Sequence, residues 1–102
     1  MIIIEDHGFQ QRRQGILDDE GLFELMDWLT VNPGEGKIIP RSGGLRKLRW
    51  AAKGQGKRGG SRVIYFWWMA DDKILLLDIY AKNSQSDLSA DEIKKLKGKL
   101  AP

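Results

Sequence analysis

The apolar positions along the chain change their spacing several times, and each change predicts a new element. The chain begins with successive isoleucines at residues 2–4, which suit a strand that is covered on both faces. Phe9, Ile16 and Leu17 then fall at helical spacing and predict a first helix, in which Gly15 is a weak point. The pattern therefore predicts a strand followed by a helix.

A second helix is predicted from about Asp19 to Val31. Carboxylates at residues 18–20 can cap the exposed N–H groups of its first turn and complement the helix dipole. The Asn-Pro-Gly sequence at residues 32–34 ends the helix, because the residue before a proline disfavours the helical conformation. The apolar stripe consists of Leu22, Leu25, Met26 and Leu29. We expect the two helices to form a hairpin with an acidic outer face.

Beyond a connection at residues 32–44, which holds two prolines and four glycines, the apolar period changes to two. Strands are predicted at 45–50, 61–69 and 73–81, with a turn at residues 71–72 before the last of them. They are expected to form an antiparallel meander. Alternation in the first of these strands gives one face with Leu45, Lys47 and Arg49 and another with Arg46, Leu48 and Trp50. This strand thus has a basic face and a core face.

The last predicted element is an amphipathic helix. Residues 89–92 match the capping-box pattern, and Ile93, Leu96 and Leu100 form the apolar side of the helix. The 102 residues show no internal repeat or linker, so a single domain spanning residues 1–102 is expected. Together the elements predict an α+β fold, in which an N-terminal strand and a helical hairpin pack on a mainly antiparallel sheet and a C-terminal helix follows.

Charge is concentrated in the middle of the chain, although the net charge is only +3. Residues 1–36 carry two Lys and Arg against eight Asp and Glu, residues 37–62 carry nine against none, and residues 63–102 carry six against six. Because no basic amphipathic helix accompanies this cluster, it favours nucleic acid over a membrane surface as the partner.

The composition excludes several other classes of protein. The chain has no cysteine, which rules out a disulfide framework, a thiolate metal site and a cysteine nucleophile. No segment approaches the roughly 20 apolar residues of a membrane span, and the N-terminal apolar run is too short for a signal-peptide core. We therefore expect a cytoplasmic protein without a cofactor or a metal.

Three cations are predicted to converge on one surface. Lys47 and Arg49 project from the same face of a strand, and Arg62 begins the strand that is expected to lie beside it. Arginine can clamp two phosphate oxygens, and a lysine crowded by like charges can exchange protons near neutral pH. This arrangement suits a phosphodiester. The alternative is an ordinary solvated face of a sheet.

Two further groups are candidates for nucleic-acid contact. The glycine-rich loop at 53–60 carries Lys53, Lys57 and Arg58, which either present an anion-binding nest or simply attract a polyanion. At the end of the last strand, Tyr80, Lys82 and Asn83 bring a phenol, an ammonium group and an amide together. Tyr80 can stack on a base or transfer a proton, or it is a structural tyrosine at the edge of the sheet. One of the adjacent tryptophans at 67–68 must face a surface, for which we expect a protein interface.

Four segments of the chain resemble the RelE/HigB family of toxins from type II toxin–antitoxin systems, especially its HigB-like, phage-associated branch. They are residues 32–34 (NPG), 43–51 (GGLRKLRWA), 59–65 (GGSRVIY) and 77–83 (LDIYAKN). The resemblance spans nearly the whole chain and implies a compact RelE-like fold. It also implies a ribosome-dependent endoribonuclease that cuts mRNA by attack of the 2′-hydroxyl on the adjacent phosphate, without a metal, and that a helix-turn-helix, HigA-like antitoxin silences.

The resemblance also implies roles for particular residues. Lys47 is then a candidate general base, Arg49 and Arg62 stabilise the charge of the phosphorane, and Tyr80 or Lys82 acts as the acid or as a phosphate contact. The predicted RNA-binding residues are Arg46, Lys53, Lys57, Arg58 and Asn83. The chain lacks the C-terminal histidine that some HigB members use.

Two other functions remain open at this point. One is a non-catalytic toxin of the ParE-like kind, which shares the fold and binds a protein such as a topoisomerase. Members of that group usually lack a clustered basic surface, so the nine uncompensated cations argue against it. The other is a nucleic-acid-binding protein without turnover.

Overall fold

The computed structural model describes residues 1–51, 60–83 and 87–100. In chain order the elements are β1 (Ile2–Glu5), α1 (His7–Arg12), α2 (Asp19–Val31), β2 (Lys37–Ile38), β3 (Arg46–Trp50), β4 (Ser61–Trp68), β5 (Lys73–Ala81) and α3 (Ala90–Gly98). The strands form one sheet in the order β1-β5-β4-β3-β2, in which only β1 pairs in parallel, with β5. The predicted α+β architecture is confirmed.

Helices cover the two faces of the sheet unequally. The helix pair α1 and α2 buries one face, here called the hairpin face, whose core includes Phe9, Leu25, Val63 and Tyr65. The opposite face, here called the α3 face, packs against α3 through a smaller core that includes Leu96. Because one short helix cannot cover five strands, part of the α3 face stays open to solvent.

A bulge between β4 and β5 decides which side chains lie on that open face. Tyr65 pairs with Leu76, but the preceding Ile64 pairs with Asp78, so Leu77 is an extra residue on β5. Such a bulge reverses the alternation of all residues beyond it. Tyr80 accordingly belongs to the core of the α3 face, although the sequence period from Leu76 would place it on the hairpin face.

The predictions for α2 and α3 are confirmed at their starts. Asp18 caps α2 by accepting a hydrogen bond from the Gly21 N–H at 2.7 Å. At α3, Ser89 and Glu92 form both hydrogen bonds of the capping box. Each of these starts depends on contacts within a few residues, which a sequence pattern can reveal.

The predicted first helix is partly wrong. It begins at His7, because Asp6 caps it by accepting from the Gly8 N–H, and it ends at Arg12. Gly15 adopts the left-handed conformation with φ +79°, which glycine tolerates and which turns the chain before the second helix. Leu17 therefore reaches the hairpin-face core from a turn and not from a helix.

The prediction that both faces of β1 are covered is also wrong, because β1 is the edge strand of the sheet. Ile2 and Ile4 are exposed on the α3 face. The two-residue strand β2 was not predicted, since it is too short to show a period. None of the helices in the described parts of the chain combines the length and apolar character that a membrane crossing requires.

Asp6 links the beginning of the fold to its end. Its carboxylate accepts from the Gly8 N–H and from Lys99 Nζ, at 2.8 and 2.6 Å, and thereby joins the start of α1 to the residue after α3. Partial burial alone raises the pKa of Asp6, but the hydrogen bonds from Lys99 and Gly8 and the charges of Lys99 and Arg12 outweigh this effect. The net pKa is below the ordinary 3.8.

This contact makes stability depend on pH in a defined direction. Because the pKa of Asp6 is lower in the folded state, its contribution is present above 3.8 and is lost as the pH falls through the folded value. Asp6→Asn keeps a capping side chain but loses the ion pair, so we expect it to lower the unfolding free energy at neutral pH by up to about 1 kcal/mol.

Urea unfolding of the wild type and Asp6→Asn across acidic pH tests this prediction. The two unfolding free energies should converge as the pH falls below 3.8. Asp71→Asn, at an exposed turn, is the matched control and should follow the wild type at every pH. A constant gap between Asp6→Asn and the wild type would contradict the prediction.

Candidate active site

A row of charged and phenolic side chains crosses three strands on the α3 face. Arg49 of β3 lies directly opposite Arg62 of β4, and Arg62 lies directly opposite Tyr80 of β5. Residues paired in this way share a face, with Cβ atoms about 5 Å apart. Here the row is called the Arg–Arg–Tyr row. The prediction that Arg49 and Arg62 lie together on one face of the sheet is confirmed.

Two lysines lie beside this row. Lys47 projects from the same face of β3 as Arg49 and pairs with Lys37 of β2. The surface here forms an open depression of about 420 Å³. Its lining residues are Glu35, Lys37, Lys47, Leu48, Arg49 and Arg62. Four cations therefore line one open depression.

Arg49 contributes a charge that the fold itself does not use. It is exposed, and within the described parts of the chain it has no hydrogen bond, ion pair or ring contact. Its direct neighbour across the sheet is the like-charged Arg62, and like charges in this position destabilise a sheet. Within the described residues, Arg49 therefore makes no contact that offsets this cost.

Lys47 has an acidic partner that the sequence did not indicate. Its Nζ lies 3.3 Å from Oδ1 of Asp87, in the segment between β5 and α3. Glu35 also lines the depression. Residues 37–62 contain no acidic residue, but in the folded protein Glu35 and Asp87 lie beside the basic cluster. The expectation that the cluster has no acidic neighbours is therefore wrong.

Asp87 is a carboxylate at neutral pH. The hydrogen bond from the Leu88 N–H, followed by the hydrogen bond and charge of Lys47, holds its pKa below 3.8, and burial opposes this only in part. The same oxygen, Oδ1, accepts from both groups, at 2.8 Å from the Leu88 nitrogen and 3.3 Å from Lys47 Nζ. The backbone thus fixes the carboxylate that holds Lys47.

Tyr80 lies at the inner end of the row. Its side chain is only 5% exposed, and its hydroxyl is buried without a hydrogen-bond partner in the described structure. Burial, and then the charge of Asp87, raise the pKa of the phenol above 10.0, while Arg62 opposes this. Tyr80 is therefore a buried, uncharged phenol at physiological pH, and it is not the wet tyrosine at a sheet edge that the sequence left open.

The loop at residues 33–36 is hydrogen-bonded to side chains on the hairpin face of the sheet. The Tyr65 hydroxyl donates to the Pro33 carbonyl at 2.7 Å and accepts from the Gly36 N–H at 2.9 Å. Arg46 donates to the carbonyls of Gly34 and Gly36. These bonds fix the loop that carries Glu35 and leads into β2. A Cβ at position 36 would lie 2.8 Å from the Tyr65 ring, so this close approach requires glycine.

Several of the predicted RNA-binding residues lie elsewhere. Arg46 is on the hairpin face, where its guanidinium lies 5.8 Å from the centre of the Trp67 ring, so the structure does not bring it together with Lys47 and Arg49. Lys82 and Asn83 are exposed in the turn after β5, outside the strand that carries Tyr80. Lys53, Lys57 and Arg58 lie outside the described residues.

Lys37, Glu35 and Asp87 are the site residues that the sequence reasoning missed. Lys37 and Glu35 follow a proline-glycine turn and show no strand period. Asp87 meets Lys47 across 40 residues of sequence. Only the strong local charge of residues 37–62 could have pointed to Lys37.

The fold and the depression together define a small α+β protein with one sheet and an open, cation-lined site on its half-covered face. A family model described as the RelE toxin of the RelE / RelB toxin–antitoxin system matches residues 10–101, and the chain therefore belongs to the RelE toxin family. It is the toxin of a toxin–antitoxin system, and an antitoxin partner is implied.

A solved structure supports the same fold. The chain is similar to a double arginine-to-alanine mutant of the Escherichia coli toxin RelE in the free state, with a TM-score of 0.60 and 10% sequence identity. The match covers 99% of this chain and 97% of that chain. At this identity the likeness shows the arrangement of helices and strands and not the identity of site residues.

The unpaired charge of Arg49 leads to a prediction about stability. Arg49→Gln removes the repulsion from Arg62 and no internal bond, so we expect the unfolding free energy to stay unchanged or rise by up to about 1 kcal/mol. Chemical denaturation at low and high salt tests this, because screening should reduce the gain. A loss of stability would show that Arg49 has a structural role.

Removal of the hydroxyl should affect the unfolding free energy differently at the two buried tyrosines. Tyr65→Phe leaves the Pro33 carbonyl and the Gly36 N–H without a partner and should lower the unfolding free energy by about 1–3 kcal/mol. Tyr80→Phe removes a buried hydroxyl that has no partner and should leave stability unchanged or higher. Urea unfolding of both variants provides the measurement, and equal losses would contradict the prediction.

Proposed function

We propose that this toxin is a ribosome-dependent endoribonuclease that cuts mRNA and so inhibits translation. The observation that carries the proposal is the open depression with four cations beside a neutral buried phenol. RNA is a polyanion, and cleavage by its own 2′-hydroxyl needs only charge stabilisation and proton transfer from the protein. The proposed partners are the ribosome, mRNA and a helix-turn-helix antitoxin of the HigA-like kind, and the proposed place of action is the cytoplasm.

The reaction has two proton transfers around one phosphorus atom. The 2′-hydroxyl loses its proton and attacks the adjacent phosphorus, and the bond to the 5′-oxygen of the next nucleotide breaks. The leaving oxygen takes up a proton, which gives a 2′,3′-cyclic phosphate and a 5′-hydroxyl. Between these states the phosphorane carries additional negative charge on its oxygens, and fixed cations stabilise this charge.

Arg49 and Arg62 are proposed to hold the phosphorane. They lie opposite each other on paired strands, so their guanidinium groups approach one phosphate from the same side. Guanidinium groups donate two parallel hydrogen bonds to phosphate oxygens and keep their charge at any physiological pH. A bound phosphate also removes the repulsion between the two arginines, which adds to its affinity.

The proton transfers are proposed to involve Tyr80, Lys82 and Lys47. Tyr80 has a raised pKa, so it retains a proton that it can give to the leaving oxygen. Lys82, exposed after β5, is the alternative donor or a phosphate contact. Lys47 is the proposed general base. In the free protein Lys47 Nζ lies 3.3 Å from the Asp87 carboxylate, so this role requires the ion pair to open.

Substitution of Arg62 and of Lys47 tests the proposal directly. In a translating extract with a defined mRNA, the wild type should produce cuts that primer extension maps to codon positions. We expect Arg62→Ala and Lys47→Ala each to slow cleavage by at least about 10²-fold, the usual scale for loss of one charge-stabilising or proton-transfer group.

Lys94→Ala is the matched control, because it also removes one exposed positive charge but lies on the solvent side of α3. It should cut like the wild type. Intact mRNA in the presence of a wild-type protein that still stops growth would overturn the nuclease and favour a toxin that acts by binding a protein target.

A further inference from the structure

The ion pair between Asp87 and Lys47 occupies the place where RNA is proposed to bind. Lys47 lines the depression, and residues two apart on one face of a strand are about 7 Å apart, so Lys47 and Arg49 can contact one phosphodiester or adjacent ones. The Asp87 carboxylate lies 3.3 Å from Lys47 Nζ. It therefore takes the position that a phosphate oxygen needs.

Asp87 is held in this position by more than its charge. The next residue, Leu88, belongs to the core of the α3 face and donates its backbone N–H to the Asp87 carboxylate. The segment is thus anchored by a buried leucine on one side, and the capped start of α3 at Ser89 follows immediately. The carboxylate itself is 65% exposed, so its ion pair with Lys47 lies at the surface, and the backbone hydrogen bond and the buried Leu88 hold it in place.

We propose that Asp87 is an internal competitor of RNA: in the free toxin its carboxylate occupies Lys47, and a phosphodiester reaches this lysine only by replacing it. This inference rests on the proposed RNA-cutting function and assigns to the same site a residue that sets the affinity for RNA. A phosphate beside Lys47 and a carboxylate on Lys47 repel each other, so the two anions exclude one another.

The competition also selects the ligand. An anion that contacts Lys47 alone gains little binding free energy, because it must replace a carboxylate that already binds this lysine. A phosphodiester that also contacts Arg49 and Arg62 gains the hydrogen bonds of two guanidinium groups that lie opposite each other on paired strands. Asp87 therefore favours an extended polyanion over small anions such as free carboxylates.

RNA binding, measured without cleavage, tests the inference. The probe is a short fluorescein-labelled RNA whose 2′-hydroxyls are methylated, so that it cannot be cut, and fluorescence anisotropy gives Kd over a range of salt concentrations. Asp87→Asn keeps an oxygen for the Leu88 N–H and should bind about three- to tenfold more tightly at low salt. Its plot of log Kd against log salt should steepen by about 0.7, the value for one additional cation on a single strand.

A double-mutant cycle separates competition at Lys47 from general repulsion. In a Lys47→Met background, Asp87→Asn should change Kd by less than about twofold, because the cation for which Asp87 and RNA compete is absent. Asp91→Asn removes one exposed carboxylate from the first turn of α3 and should also stay within about twofold of the wild type. Circular dichroism and thermal unfolding check that each variant is folded.

The inference is overturned if Asp87→Asn binds RNA no more tightly than the wild type, including the case in which neither binds. It is also overturned if the gain is as large in the Lys47→Met background, or if Asp91→Asn gives the same gain. These outcomes do not decide the proposed function, which depends on mRNA cleavage in the translating extract. Cleavage without tighter binding by Asp87→Asn would retain the nuclease and reject the competitor.

Discussion

The pairing of β4 with β5, including its single bulge, is the constraint on which the rest of the structure depends. These two strands are adjacent in the sheet, and every other strand is added to one of them or to a neighbour. The extra residue Leu77 reverses the alternation of β5, so that Ile79 enters the hairpin-face core and Tyr80 enters the α3-face core. Without the bulge, Tyr80 would point away from Arg62, and the row across the sheet would end at the arginines.

Two groups of the site do not help the fold. Arg49 faces Arg62 without an internal partner, and the Tyr80 hydroxyl is buried without a hydrogen bond in the described structure. Both arrangements cost free energy. The neighbouring loop, by contrast, is well bonded, since Tyr65 and Arg46 hold it through buried and half-buried hydrogen bonds. This division between a costly site and a well-bonded support is common where function constrains a protein.

The sequence predicted elements whose causes are local and missed contacts whose causes are distant. The start of α2 and the capping box at Ser89 follow from side chains within three residues of the groups they bind. The shared face of Lys47 and Arg49 follows from strand alternation alone. No sequence pattern indicates the bulge at Leu77, because a bulge depends on the register of two strands. Asp87 was missed for the same reason, since only the folded chain brings it to Lys47.

The parallel pairing of β1 with β5 has a consequence for the chain as it is synthesised. Ile2 pairs with Lys73, so β1 has no place in the sheet until β5 has been synthesised. Tyr80 follows later in β5, and Lys99, which binds Asp6, is later still in the chain. Contacts of such long sequence separation form late in folding. A nascent chain that has not yet reached β5 therefore carries its basic strands without the Tyr80 neighbour that completes the row.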